Sequence, residues 1–81
     1  MVELSDERLK ELKDSFPRKV GARIKYFRRK KELTQTELAQ AVGKDRQYLY
    51  KIEKGIVTPN IVTIYSLVLA LEVSLKEFYD F

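Results

Sequence analysis

Between Gln35 and Gly55 a small residue, a glycine and two branched apolar residues recur at intervals that restrict how the chain can fold. Thr34-Gln35-Thr36-Glu37 has the form of a capping box, in which the Thr34 hydroxyl accepts from the Glu37 amide and the Glu37 side chain returns to the Thr34 amide. The helix it opens is short. Leu38, Ala39 and Val42 supply its apolar face, and Gly43 is predicted to end it in a left-handed conformation. After a turn, Asp45 can cap a further helix through Lys54, with Leu49 and Ile52 inward and Gly55 as terminator. Helices this short cross steeply at a glycine turn only where their contact residues are small, and Ala39 supplies that small contact. Spacings of four, six and three between Ala39, Gly43, Leu49 and Ile52 thus predict two helices locked against each other across a tight turn.

The flanking sequence is also helical in period. From Ser5 to Phe16, Leu9, Leu12 and Phe16 form one stripe, with Ser5 as N-cap and Asp6 and Glu7 at the positive end of the helix dipole. Pro17 punctuates the chain, and a second helix is expected from Pro17 or Arg18 to about Lys31, carrying Val20, Ile24 and Phe27 inward. A later helix starts at Thr58-Pro59-Asn60, capped by Thr58 or Asn60, and runs to about Leu71; Ser74 caps a last one through Phe81. No strand pattern or repeat competes. The expectation is all-α, about six helices: an accessory amphipathic helix at 1–16, then one domain at 17–81 containing the two-helix unit at 35–54. Eighty-one residues support one core, since a chain this short buries only about 60% of its unfolded surface.

Composition narrows the chemistry. The chain has no Cys and no His, so thiolate nucleophiles, disulfides, the commonest general base and the usual zinc ligands are missing. No enzyme, cofactor or metal site is expected. The N-terminus is acidic where a signal peptide is basic and then apolar, and the apolar run 61–73 is interrupted by Thr63, Ser66 and Glu72 and too short for a bilayer. The expected setting is a reducing cytoplasm, with no membrane partner.

Charge points to a polyanion. Residues 1–16 carry net −2, residues 17–55 carry net +8, and residues 56–81 carry net −2. A basic centre between mildly acidic ends is the electrostatic footprint of a nucleic-acid binder, and equally of a solvated helix face rich in Lys and Arg. The outward face of the second helix of the pair decides more. It carries Arg46, Gln47, Tyr50 and Lys51, types suited to the major groove: Arg or Lys to guanine, Gln to adenine, aromatic carbon to the thymine methyl.

These residues carry a family resemblance. Residues 17–79, through "ELTQTELAQAVGKDRQYLYKIEKG" and "TPNIVTIYSLVLALEVSLKEFY", resemble the phage-repressor and Cro type of helix-turn-helix domain, also called the xenobiotic-response-element family. The small size is similar to that of restriction–modification controller proteins. The resemblance implies a compact five-helix repressor-type domain, here with an additional short N-terminal helix, that binds double-stranded DNA operators as a homodimer. It places Gln35 on a phosphate, Arg46, Gln47 and Lys51 on base edges, Lys44 and Asp45 at the helix entry, and Lys54, Thr58 and Asn60 on phosphate. Arg23 and Arg28 are candidates for further phosphate contacts. Alternatives stay open at several positions: Asp45 as cap or cytosine reader, Glu53 in an ion pair with a partner such as Arg23, Tyr48 and Tyr50 on DNA or on neighbouring side chains.

The helix from Asn60 shows two apolar stripes. Ile61, Ile64, Leu67, Val68 and Leu71 suit the core, while Val62, Tyr65, Leu69 and Val73, with Phe78, Tyr79 and Phe81 nearby, form a second face expected to pair two copies. Residues 5–16 either cap the bundle, with capping the favoured role, or extend the dimer interface or bind another protein. The expected function is a sequence-specific transcriptional regulator on a palindromic operator. The alternative is an antitoxin or bridging protein-interaction module on the same fold.

Overall fold

The computed structural model describes residues 2–81 and is all-helical: α1 (Asp6–Lys30), α2 (Gln35–Ala41), α3 (Arg46–Glu53), α4 (Ile61–Ala70) and α5 (Leu75–Phe78). Each helix starts at a side-chain cap of the type expected. The Ser5 hydroxyl accepts from the Arg8 amide at 3.0 Å, Asp45 from Tyr48 at 2.8 Å, Asn60 from Thr63 at 2.9 Å and Ser74 from Glu77 at 3.0 Å. The capping box at α2 is complete: Glu37 N–H donates to the Thr34 hydroxyl at 3.0 Å, and Thr34 N–H to the Glu37 carboxylate at 2.9 Å. The Thr34 amide, and then its hydroxyl, hold the Glu37 carboxyl below its ordinary pKa. Asp45 and Asn60 are therefore the caps where alternatives had been open.

One boundary expectation is corrected. Pro17 does not separate two helices; it lies inside the 25-residue α1. The stripe explains why. Phe16 and Val20 are four residues apart, so Leu9, Leu12, Phe16, Val20, Ile24 and Phe27 stay in phase across the proline. The helix continues through this point although Pro17 has no N–H for the Lys13 carbonyl. Its N-terminal half projects from the bundle: Leu9 is exposed, and Phe16 meets the body through the rings of Tyr79 and Phe81, with centroids at 6.4 and 5.9 Å. The expected capping role thus narrows to Phe16 and its neighbours.

The core joins Val20, Ile24 and Phe27 of α1, Leu38 and Ala39 of α2, Leu49 and Ile52 of α3, Leu67 and Val68 of α4, Leu71 after it, and Phe78 of α5. Gly43 has φ +70°, as the turn between α2 and α3 requires. Gly21 serves a different purpose: a Cβ there would collide with the carbonyl oxygens of Ile52 and Glu53, so α1 approaches the end of α3 backbone to backbone. Among the described residues, no helix is long and apolar enough to cross a membrane, and no cluster of Asp and Glu could hold a metal ion.

Candidate nucleic-acid interface

The geometry of α3 is set from its buried side. Glu53 sits at its last turn and is nearly inaccessible, and its carboxylate receives the Arg28 guanidinium in a two-pronged contact: Nε to Oε2 at 2.7 Å and Nη2 to Oε1 at 3.0 Å. The remaining Arg28 prong, Nη1, donates to the Leu33 carbonyl at 2.8 Å, and Gln35 Nε2 donates to Glu53 Oε1 at 3.1 Å. One network thereby ties α1, the loop after it, α2 and α3 together. No buried side-chain polar atom among the described residues lacks a partner. A planar fork on a carboxylate fixes orientation as well as distance, which is what a protruding helix needs.

This network corrects three assignments. Arg28 is buried and each of its three guanidinium nitrogens already donates within the protein, so it is not presented to a phosphate; Glu53 pairs with Arg28 and not with Arg23. Arg23 is turned the other way, donating from Nε to the Phe78 carbonyl at 2.9 Å and from Nη2 to the Glu77 carbonyl. Its Nε and Nη2 are thus committed to the end of α5. The Gln35 side chain is tied to Glu53 through Nε2, and its backbone amide, at the start of α2, is a further donor on that side.

The outward face of α3 keeps the residues expected there. Arg46, Gln47 and Tyr50 are exposed and Lys51 is half-buried, while Leu49 and Ile52 face the core. The ion pairs among the described residues use Arg8, Arg18, Arg28 and Lys31, leaving Arg46, Lys51 and Lys54 unpaired. Lys54 lies over the Tyr50 ring at 5.8 Å, so ring and cation form one surface. Tyr48 is corrected inward: it is half-buried against the core, with Lys44 Nζ 5.3 Å from its ring. Lys44 and Thr58 are exposed, and Asn60, with its oxygen used as a cap, retains its amide N–H groups.

Sequence reasoning missed Lys25. It lines a cleft of about 230 Å³ together with Gln35, Arg46, Tyr50, Glu53 and Lys54, bringing a cation from α1 alongside the face of α3. The signal was present, since Lys25 precedes Arg28 by three residues and so shares its side of the helix. With the Glu53 charge answered by Arg28, Lys25, Arg46 and Lys54 leave the cleft rim positive. A strip of unpaired cations beside an exposed Gln and Tyr can grip phosphates and offer donors to base edges.

A helix-turn-helix family profile matches residues 24–78, from the buried face of α1 to the end of α5. The chain belongs to the Cro and phage-repressor helix-turn-helix family. This family consists of DNA-binding transcriptional regulators. The chain is 42% identical over 55 residues to an uncharacterized helix-turn-helix-type transcriptional regulator, y4dJ, of Sinorhizobium fredii, covering 68% of this chain and 71% of that protein. It is 40% identical over 59 residues to the ImmF control region 10 kDa protein of Bacillus phage phi105, covering 73% and 66%. Its fold is similar to that of the restriction-modification controller protein C.AhdI from Aeromonas hydrophila, with a TM-score of 0.76 at 32% identity over 80% of this chain and 98% of that one. The clp gene regulator ClgR from C. glutamicum superposes with a TM-score of 0.74 at 29% identity, over 76% and 80%.

In this helix-turn-helix protein the second apolar stripe is exposed in part. Val62, Tyr65 and Leu69 lie open on α4, and Tyr79 and Phe81 are 40% and 51% exposed. Phe78 is corrected: it is fully buried, stacked near Phe27 with centroids at 6.3 Å, and belongs to the core. Val73 is half-buried against that core. Ile61, expected inside, is 83% exposed, and Thr63 is buried instead. Ile61 is the first residue of α4, and helical side chains lean toward the N-terminus, so it projects past the body. The result is an apolar groove lined by Ile61, Val62, Ile64, Tyr65, Leu75 and Tyr79.

Proposed function

We propose that this protein binds a palindromic DNA operator as a homodimer in the cytoplasm and regulates transcription by occupying it. The observation that carries this reading is α3 itself: its inner face is fixed by Leu49, Ile52 and the Arg28–Glu53 fork, while Arg46, Gln47 and Lys51 point outward unpaired by other side chains. In the major groove, Arg46 and Lys51 suit guanine, Gln47 suits adenine and Tyr50 offers carbon to a thymine methyl. Lys25, Lys44, Lys54, Thr58, the Asn60 amide and the Gln35 backbone N–H border that face and suit phosphates. Pairing through Val62, Tyr65, Leu69, Tyr79 and Phe81 would repeat the reading face about one turn of DNA away, roughly 34 Å.

Selection from a random duplex library tests this directly. The expected winner is a palindrome bound far more tightly than random DNA. On it, Arg46→Ala or Lys51→Ala should lose about 1–3 kcal/mol, with a smaller loss on random DNA. Equal losses on both would make these residues phosphate contacts. Weak, uniform and salt-sensitive binding without a preferred sequence would refute operator recognition.

A further inference from the structure

The helix α5 has only four residues, Leu75–Phe78, too few to hold a position through its own hydrogen bonds. It carries Phe78 into the core and presents Leu75 and Tyr79 to the apolar groove. Backbone amides satisfy its last turn only in part: Tyr79 N–H donates to the Leu75 carbonyl at 2.9 Å and Asp80 N–H reaches the Glu77 carbonyl at 3.4 Å, and the carbonyls of Glu77 and Phe78 both accept from a single side chain of α1, Arg23. The same guanidinium lies 4.5 Å from the Phe27 ring centroid and 5.3 Å from that of Tyr26, so packing holds the fork in one orientation. One turn and a half farther along α1, Arg28 makes the corresponding fork on Glu53 of α3. At about 100° per residue the two arginines point some 140° apart, toward opposite sides of the helix. α1 is thus a strut gripping the reading helix on one side and the end of the chain on the other.

We infer that Arg23 is a positioning residue for self-association: by clamping the end of α5 to α1 it holds Tyr79 and Leu75 where a second copy can pair with them. This rests on the homodimer proposed above and names the residue that prepares its surface. Arg23 does not touch the second copy; it acts through the Glu77 and Phe78 carbonyls. The Phe16 ring, stacked on Tyr79 and tilted against Phe81, supports the same edge from the projecting half of α1.

The test is dimer dissociation by sedimentation equilibrium on the full chain, for wild type, Arg23→Gln, Arg23→Lys and a control, Thr34→Ala. The control weakens the α2 cap, remote from the groove, and reports what general destabilisation does. Expected are a dissociation constant at least tenfold higher for Arg23→Gln and an unchanged one for Thr34→Ala at a similar drop in melting temperature. Arg23→Lys should recover only part of the loss, because an ammonium keeps the charge near the end of α5 but cannot fork across two carbonyls. A wild-type dimer equally strong in both Arg23 variants would overturn the positioning role, and so would a Thr34→Ala dimer weakened as much as the Arg23→Gln one. A wild type that stays monomeric at every concentration would instead overturn the dimer itself, and the inference with it.

Discussion

At the inner end of α3 the Glu53 carboxylate accepts from Arg28 Nε and Nη2 and from Gln35 Nε2, and all three donors come from outside its own helix. Removing its charge leaves the Arg28 guanidinium buried without a counterion. Breaking a buried pair in this way costs about 3–5 kcal/mol, a large share of the roughly 5–15 kcal/mol that holds a small domain together. Glu53→Gln should therefore lose stability on this scale in urea unfolding, whereas replacing both partners by Arg28→Met with Glu53→Leu should recover most of it. A loss below about 1 kcal/mol for Glu53→Gln would mean that the fork does not lock α3. The pair also shows where sequence reading stops. Asp45, Thr34 and Glu37 were legible as caps because their partners lie three residues away. Glu53 and Arg28 are 25 residues apart, and choosing between Arg23 and Arg28 required the side of α1 each occupies. That side could be inferred: Arg28 follows Ile24 by four residues and so lies on the buried row.

Among the helices, α1 departs most from expectation. A proline removes a backbone donor and crowds the preceding turn, which is why Pro17 reads as a boundary. The uninterrupted apolar stripe, Gly21 against the end of α3 and the capped start at Ser5 together outweigh that local preference. The penalty should persist in the folded helix. Pro inside a helix is about 3 kcal/mol less favourable than Ala, and part of this is offset because proline also restricts the unfolded chain by about 0.4–1 kcal/mol. Pro17→Ala should thus stabilise the protein by about 2 kcal/mol, seen as a higher melting temperature with helicity equal or greater by circular dichroism. A destabilised variant would mean that the proline shapes a bend the packing needs. For α4 the opposite holds: its two stripes were readable from period alone, but the placement of Ile61 depended on where the helix began. Asn60 fixed that start one residue before it.

For the molecule as a whole, the proposed reading of a palindrome requires two copies, and the surface proposed for pairing is the groove around Tyr65 and Tyr79. A two-fold interface is made of the same patch twice, so one substitution appears on both sides of the axis. Tyr65→Asp would place two carboxylates against apolar surface and near each other, where neither has a counterion among the groove residues. Because Tyr65 is half exposed in the single chain, the fold should survive, with helicity near normal and a monomer in sedimentation. The effect on DNA then separates the two levels of recognition. Joining two reading helices makes the second contact intramolecular and strengthens binding by about 10²–10⁴ over one alone. Tyr65→Asp should lose a factor of this order on a full palindrome at low protein concentration, while affinity for a single half-site stays within about twofold, since α3 and its Arg28–Glu53 fork are untouched. A variant that lost half-site binding equally would place the damage in the reading helix. One that remained a dimer would exclude this groove as the interface and free its apolar lining for a foreign chain.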